Sequence, residues 1–181
     1  YQKPHPPLVR ACIGKDSLVS MAKIGRPVLI GVEKLDELAL RLELYRDTML
    51  SSGFDELEVE RCLDETWVRK SVYVAEGNEQ AMEEAVPAFQ AERRHVREAR
   101  ERFNPSDYPE SIPVPPSIPS NPEHYLIAGD AQNVAERIAE LRDIGARNVL
   151  LNMTTTELPR EKVSNSMRLF AEKVAPLFRK D

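Results

Sequence analysis

Short apolar runs alternate with stretches in which apolar residues recur every three or four positions, and this alternation repeats along the chain. Residues 8–13 read as a strand closed by Gly14, and residues 17–24 as a short helix stopped by Gly25. Residues 27–30 form a second strand, ended by Gly31. After it, Leu35, Leu38, Leu42, Tyr45 and Met49 step by three and four, a stripe that buries one helix face, and Gly53 supplies a C-terminal stop. Residues 66–75, with Trp67, Val68, Val72, Tyr73 and Val74, predict a third strand of β-prone residues. Asn78 is placed to cap the next helix, which carries Ala81, Ala85, Phe89 and Val96; Pro87 inside it predicts a kink or an early break.

The rhythm then stops. Residues 104–122 hold seven of the fourteen prolines, a density that leaves only extended or polyproline-like chain. A loop of this length in a compact domain reads as a lid or binding loop, with a proline-rich ligand for a partner domain as the alternative. Order resumes where Asp130 is placed to cap a helix with Val134, Ile138 and Leu141 that ends at Gly145. A fourth strand, residues 148–153, precedes a last helix carrying Val163, Met167, Phe170, Val174 and Leu177.

Strands alternating with amphipathic helices imply an α/β fold with a parallel sheet and right-handed crossovers. Apolar runs with little alternation suit strands covered on both faces. Two architectures fit: a small open sheet with a small-molecule site at its strand ends, or part of a (β/α)8 barrel. A whole barrel needs eight units and about 250 residues. Four units in 181 residues are the size of half a barrel. The chain opens on Tyr1 without an initiator Met, which reads as the edge of a longer protein.

Charge narrows the partners. Lys and Arg number 25 against 30 Asp and Glu, a net charge of −5, where a nucleic-acid binder would show a basic surplus. In the densest basic stretch, residues 92–102, acids fall three or four positions from arginines, the spacing of a self-compensated helix face. No apolar run reaches the roughly 18 residues of a membrane span. Cys12 and Cys62 form no metal or redox motif and read as buried thiols in a reducing compartment, which points to the cytoplasm. His5, His95 and His124 lack metal-ligand spacing and read as turn or surface residues, so no metal site is expected.

Several stretches, in order, resemble one family. They are the linker of residues 2–7; Gly14-Lys15-Asp16-Ser17-Leu18 with Met21-Ala22 and Gly25-Arg26-Pro27-Val28-Leu29; and Val74-Ala75-Glu76-Gly77-Asn78-Glu79-Gln80-Ala81. Ala128-Gly129-Asp130-Ala131-Gln132-Asn133-Val134 and the closing segment of residues 166–176 complete the set. Together they are similar to the C-terminal half of the bacterial-luciferase-like flavin-dependent monooxygenases, whose barrel units five to eight residues 1–181 would form.

The resemblance implies reduced FMN, or a deazaflavin in relatives, used with molecular oxygen to oxidise a small organic substrate. It also implies a flavin-phosphate site just after the fifth barrel strand, where the family has an acidic residue, a Ser, and a hydroxyl residue three further on. These map onto Asp16, Ser17 and Ser20, with Gly14 allowing a tight turn. Asp for the usual Glu and Ser for Thr are departures that leave the flavin type open. Asp16 would contribute its backbone N–H, because its carboxylate repels phosphate, and helix-start N–H groups suit an anion. The residues alone also allow Asp16 or Ser17 to be a plain helix cap.

The family's catalytic positions lie in the first four units, so no catalytic residue is expected here and the chain alone is expected to be inactive. Asn152 and Met153, ending the last strand, either line a pocket or merely terminate it. The alternative function is a non-catalytic half-barrel. Its open edges and uncovered interior would invite self-association or pairing with a chain that supplies the other half.

Overall fold

The computed structural model describes residues 3, 5, 6, 8–31, 34–103 and 122–179. They fall into two compact units, Tyr1–Lys70 with Ala139–Leu151, and Ser71–Ile138 with Asn152–Asp181.

The first unit opens with β1 (Arg10–Cys12), α1 (Lys15–Ala22), β2 (Val28–Ile30), α2 (Leu35–Ser51) and α3 (Glu56–Asp64). It takes in the start of β3 (Trp67–Val74), the end of α5 (Ala131–Asp143) and most of β5 (Asn148–Asn152). β1 and β2 pair in parallel with Arg10 opposite Val28, and β2 and β3 in parallel with Leu29 opposite Trp67; β5 pairs with β3.

The expected stripe is the core of α2: Leu38, Leu42, Tyr45 and Met49 are buried, and the Tyr45 hydroxyl donates to the Arg26 carbonyl at 2.7 Å. Gly25 closes α1 at φ +62°, and a side chain there would meet the Phe54 ring at 2.7 Å, so both backbone and space demand glycine. Helix α3 lies outside the elements that the apolar pattern predicts. Its start is nevertheless written in Asp55 and Glu58: the Asp55 carboxylate accepts from the Glu58 N–H, and the Glu58 carboxylate from the Asp55 N–H. Arg46 then pairs with Glu56 and Glu60, and Arg147 with Glu60 and Asp64, joining α2, α3 and the turn into β5.

Not every strand of this unit is covered on both faces. Ile13 beyond β1, Trp67 on β3 and Leu150 on β5 are 58%, 39% and 44% exposed. The expectation of doubly covered strands holds for β2 and most of β3, and fails at β1 and β5.

The second unit holds the rest of β3, α4 (Asn78–Phe103), a 3-10 turn (Pro122–His124), β4 (Leu126–Gly129) and the start of α5. It ends with α6 (Arg160–Leu169), which continues through a π turn (Phe170–Val174) and a 3-10 turn (Ala175–Phe178). β3 and β4 pair in parallel, with Ser71 opposite Leu126 and Val74 opposite Gly129. The four anticipated strands are β1, β2, β3 and β5; β4 is a short addition, hidden in the sequence because its apolar run abuts the prolines.

Helix α4 runs through Pro87 without the expected break. Pro87 and Glu83, whose carbonyl loses its partner to the proline, are both exposed, so water can satisfy that carbonyl. The last helix differs too: Ser166, Leu169 and Val174 are buried, while Met167 and Leu177 are exposed. Ser166 replaces an apolar residue there because its hydroxyl accepts from the Val74 N–H at 2.8 Å, satisfying a buried strand donor. The proline-rich segment expected at residues 104–122 lies, apart from Pro122, outside the described residues.

Candidate functional site

The turn from β1 into α1 collects all four residues singled out from the sequence. Gly14 is the cap position of α1 and sits in extended backbone, φ −97° and ψ 161°. Any residue adopts that conformation, so the turn itself does not demand glycine. Nor does packing among the described residues, none of which lies within 4 Å of where a Cβ would stand. The missing side chain leaves open space beside the chain.

Neither Asp16 nor Ser17 caps the helix. Both lie inside it, and α1 has no side-chain cap. Ser17, half-buried, donates its hydroxyl to the Gly14 carbonyl at 2.8 Å, and Ser20, exposed, donates to the Asp16 carbonyl at 2.7 Å. The Leu18 N–H is the first to find an acceptor, Gly14 O at 3.3 Å. The N–H groups of Gly14, Lys15, Asp16 and Ser17 meet none among the described residues. Four successive donors at the positive end of a helix dipole are a fitting place for an anion.

The fit to a phosphate is good on the backbone and conditional on the side chains. Each serine has one proton, now given to a carbonyl, and must turn it toward the ligand to contribute. The Asp16 carboxylate is exposed and can point into water, away from the N–H groups. Arg41 of α2, which no motif flagged, donates from Nη1 to the Ile13 carbonyl at 2.8 Å, one residue before Gly14.

The second unit has its own polar cluster where β3 and β4 end. The Asp130 carboxylate accepts from the Asn133 N–H at 2.9 Å, the cap anticipated for α5. Asn78 does not cap its own helix. It is the first helical residue, and its side-chain oxygen accepts from the Asp130 N–H at 2.8 Å. Both asparagine oxygens stand 2.7 Å from where a Gly129 Cβ would be, so this glycine is fixed by packing. Carboxylate and carbonyl oxygens already fill this corner, which suits no second anion. The Asn152 side chain is half-buried at the end of β5 and Met153 is buried.

Deeper in this unit the Tyr73 hydroxyl donates to Glu84, whose carboxylate also meets Lys162 Nζ at 2.9 Å and Gln80 Nε2 at 3.2 Å. The Tyr73 bond, with help from Lys162, holds the Glu84 carboxyl below its ordinary range against the opposing effect of burial. Burial and the facing carboxylate push the Tyr73 hydroxyl up. The cluster fastens α4 and α6 to β3.

Cys12 and Cys62 are buried free thiols, and the Cys62 thiol, pushed up chiefly by burial, donates to Gly25 O at 3.4 Å. His95 is exposed and lies 3.3 Å from Glu157. Among the described residues no three His, Cys, Asp or Glu side chains gather as metal ligands, and no helix is long and apolar enough to cross a membrane.

Comparison with known proteins gives the fold a context. The chain resembles a monooxygenase from Streptomyces bottropensis at 21% identity and a TM-score of 0.71, covering 98% of this chain and 50% of that one. It resembles the oxygenating constituent of 3,6-diketocamphane monooxygenase from Pseudomonas putida, solved with FMN, at 16% identity and 0.62, covering 96% and 48%. A coenzyme F420 dependent tetrahydromethanopterin reductase from Methanopyrus kandleri matches at 19% identity and 0.60, covering 96% and 51%. The chain thus spans about half the length of these solved relatives, and its fold is that of a partial (β/α)8 barrel. No curated protein matches it. The sequence pattern of the luciferase-like monooxygenases matches residues 1–148, which include the β1–α1 turn with its open donors. On that match, the chain belongs to the luciferase-like monooxygenase family.

Proposed function

We propose that this chain is the C-terminal half, units five to eight, of a luciferase-like flavin-dependent monooxygenase, and that its β1–α1 turn holds the flavin phosphate. The observation that carries the reading is the run of four N–H groups, Gly14 to Ser17, without an acceptor among the described residues, beside a glycine that neither its backbone nor the packing of the described residues requires. Lys15, Asp16 and Ser17 would bind through the backbone, Ser17 and Ser20 through rotated hydroxyls, and Gly14 through its N–H and the space it leaves. FMN is the cofactor we favour, with a deazaflavin as the variant; one solved relative contains FMN and another depends on F420. Reduced flavin, when bound, supplies the electrons with which molecular oxygen is used to oxidise a small organic substrate.

This chain's contribution is binding and orientation: it fixes the phosphate end of the cofactor and so the depth at which the ring sits. No catalytic residue is assigned in it. The other half of the barrel is its natural partner, and the exposed apolar residues Ile13, Trp67 and Leu150 on and beside its strands support that reading. A second copy of the chain is the alternative partner. The cytoplasm, where reduced flavin and free thiols persist, is the compartment this reading favours.

Flavin titration of the completed barrel tests the site. Replacing Ser17 and Ser20 by alanine is expected to weaken FMN binding by about tenfold, the loss of one to two hydrogen bonds to a charged group. Unchanged FMN affinity would remove the phosphate assignment. For the partner, sedimentation of the chain alone should show association, and a compact monomer would contradict the pairing.

A further inference from the structure

We infer that Arg41 is a positioning residue for anion binding: it sets the orientation of the Ile13–Gly14 peptide and thereby aims the Gly14 N–H. The inference rests on the phosphate-loop reading above. The Ile13 carbonyl belongs neither to β1, which ends at Cys12, nor to α1, which begins at Lys15. Among the described residues no ladder or helix bond holds that peptide. Its carbonyl is instead held at 2.8 Å by Arg41 Nη1 of α2, in an exposed hydrogen bond.

A trans peptide is planar, with C=O and N–H pointing in opposite directions. With the carbonyl tied to Arg41, the Gly14 N–H must point away from that guanidinium, and it meets no acceptor among the described residues. The following residue is glycine, so rotation of this peptide meets little steric resistance. If it turned over, the carbonyl oxygen would replace the N–H and present negative charge to an arriving phosphate. One hydrogen bond from Arg41 therefore separates an anion-accepting turn from an anion-repelling one. The neighbouring serines cannot perform this task, because their hydroxyls bond the Gly14 and Asp16 carbonyls, not that of Ile13.

The test compares FMN with riboflavin, which lacks only the phosphate, in the completed barrel carrying wild-type chain, Arg41→Gln or Arg41→Lys. Arg41→Gln should lower FMN affinity about tenfold, the effect of losing a charge-assisted bond that presets a donor, and change riboflavin affinity less than about twofold. Arg41→Lys, which keeps the charge and a donor, should recover part of the preference. Thermal melts of both variants identify any loss of folded protein, and the Lys variant serves if the Gln variant does not fold. Equal losses for both flavins, or an unchanged preference, would overturn the role of Arg41. A wild-type protein that binds riboflavin as tightly as FMN would instead sink the phosphate-loop reading itself.

Discussion

Gly14 and Gly129 both sit at strand-to-helix turns, and the structure predicts opposite consequences for replacing them with alanine. At Gly14 the backbone is extended and no atom of the described residues lies within 4 Å of the new methyl group. The substitution should be neutral or stabilise by about 0.4–1 kcal/mol, through the smaller entropy of the unfolded chain. At Gly129 the methyl group would stand 2.7 Å from the side-chain oxygens of Asn78 and Asn133 and 3.0 Å from Asn133 Cβ. Asn78 cannot step aside without giving up its 2.8 Å bond from the Asp130 N–H. That bond is worth about 1 kcal/mol, and overpacking adds about 1–3, so Gly129→Ala should cost about 2–4 kcal/mol.

Urea denaturation at constant m-value reads both changes directly. Binding should run the other way: Gly14→Ala places a methyl group where an anion must approach, so FMN affinity should fall about tenfold while the fold is untouched. Wild-type stability in Gly129→Ala, or a loss above about 1 kcal/mol in Gly14→Ala, would refute the packing argument. An FMN affinity unaffected by Gly14→Ala would leave its open space without a ligand.

Two further perturbations probe the second unit. Because Tyr73 and Lys162 depress the Glu84 carboxyl, its stabilisation is complete above the ordinary carboxylate value and drains as pH falls through the lower folded value. Stability measured from pH 6 down to about 3 should therefore fall more steeply in the wild type than in Glu84→Gln, and Tyr73→Phe should cost about 1–2 kcal/mol at neutral pH. Parallel pH curves for wild type and Glu84→Gln would contradict the assignment. Ser166→Ala should cost about 1–3 kcal/mol in chemical denaturation, because it orphans the buried Val74 N–H; a change near zero would mean that donor finds another acceptor.

Periodicity carried the fold because burial wrote it: the α2 stripe, the β-branched β3 and the glycines at 25, 53 and 145, all at positive φ, are local signals of local structure. What stayed hidden was decided elsewhere. Ser166 looks like a surface residue until β3 presents a donor that needs it, and Asn78 looks like a cap until β4 brings Asp130 beside it. Pro87 signals a break only if its orphaned carbonyl is buried, and its exposure reverses the outcome.

The candidate site divides in the same way. Gly14, Asp16, Ser17 and Ser20 are neighbours in sequence and share one turn, so a motif could hold them. Arg41 reaches that turn from 28 residues away through a single bond to a backbone carbonyl, which no residue pattern encodes. Gly14 is expected for a tight turn, yet its backbone is extended.

The central claim is that the β1–α1 turn receives the phosphate of a flavin, and amide resonances report on that turn directly. In the nitrogen-15 labelled chain within its completed barrel, FMN should shift the Gly14, Lys15, Asp16 and Ser17 amides strongly, and riboflavin should leave them nearly unmoved. If FMN binds and those four amides stay in place while others move, the phosphate lies elsewhere and the account fails.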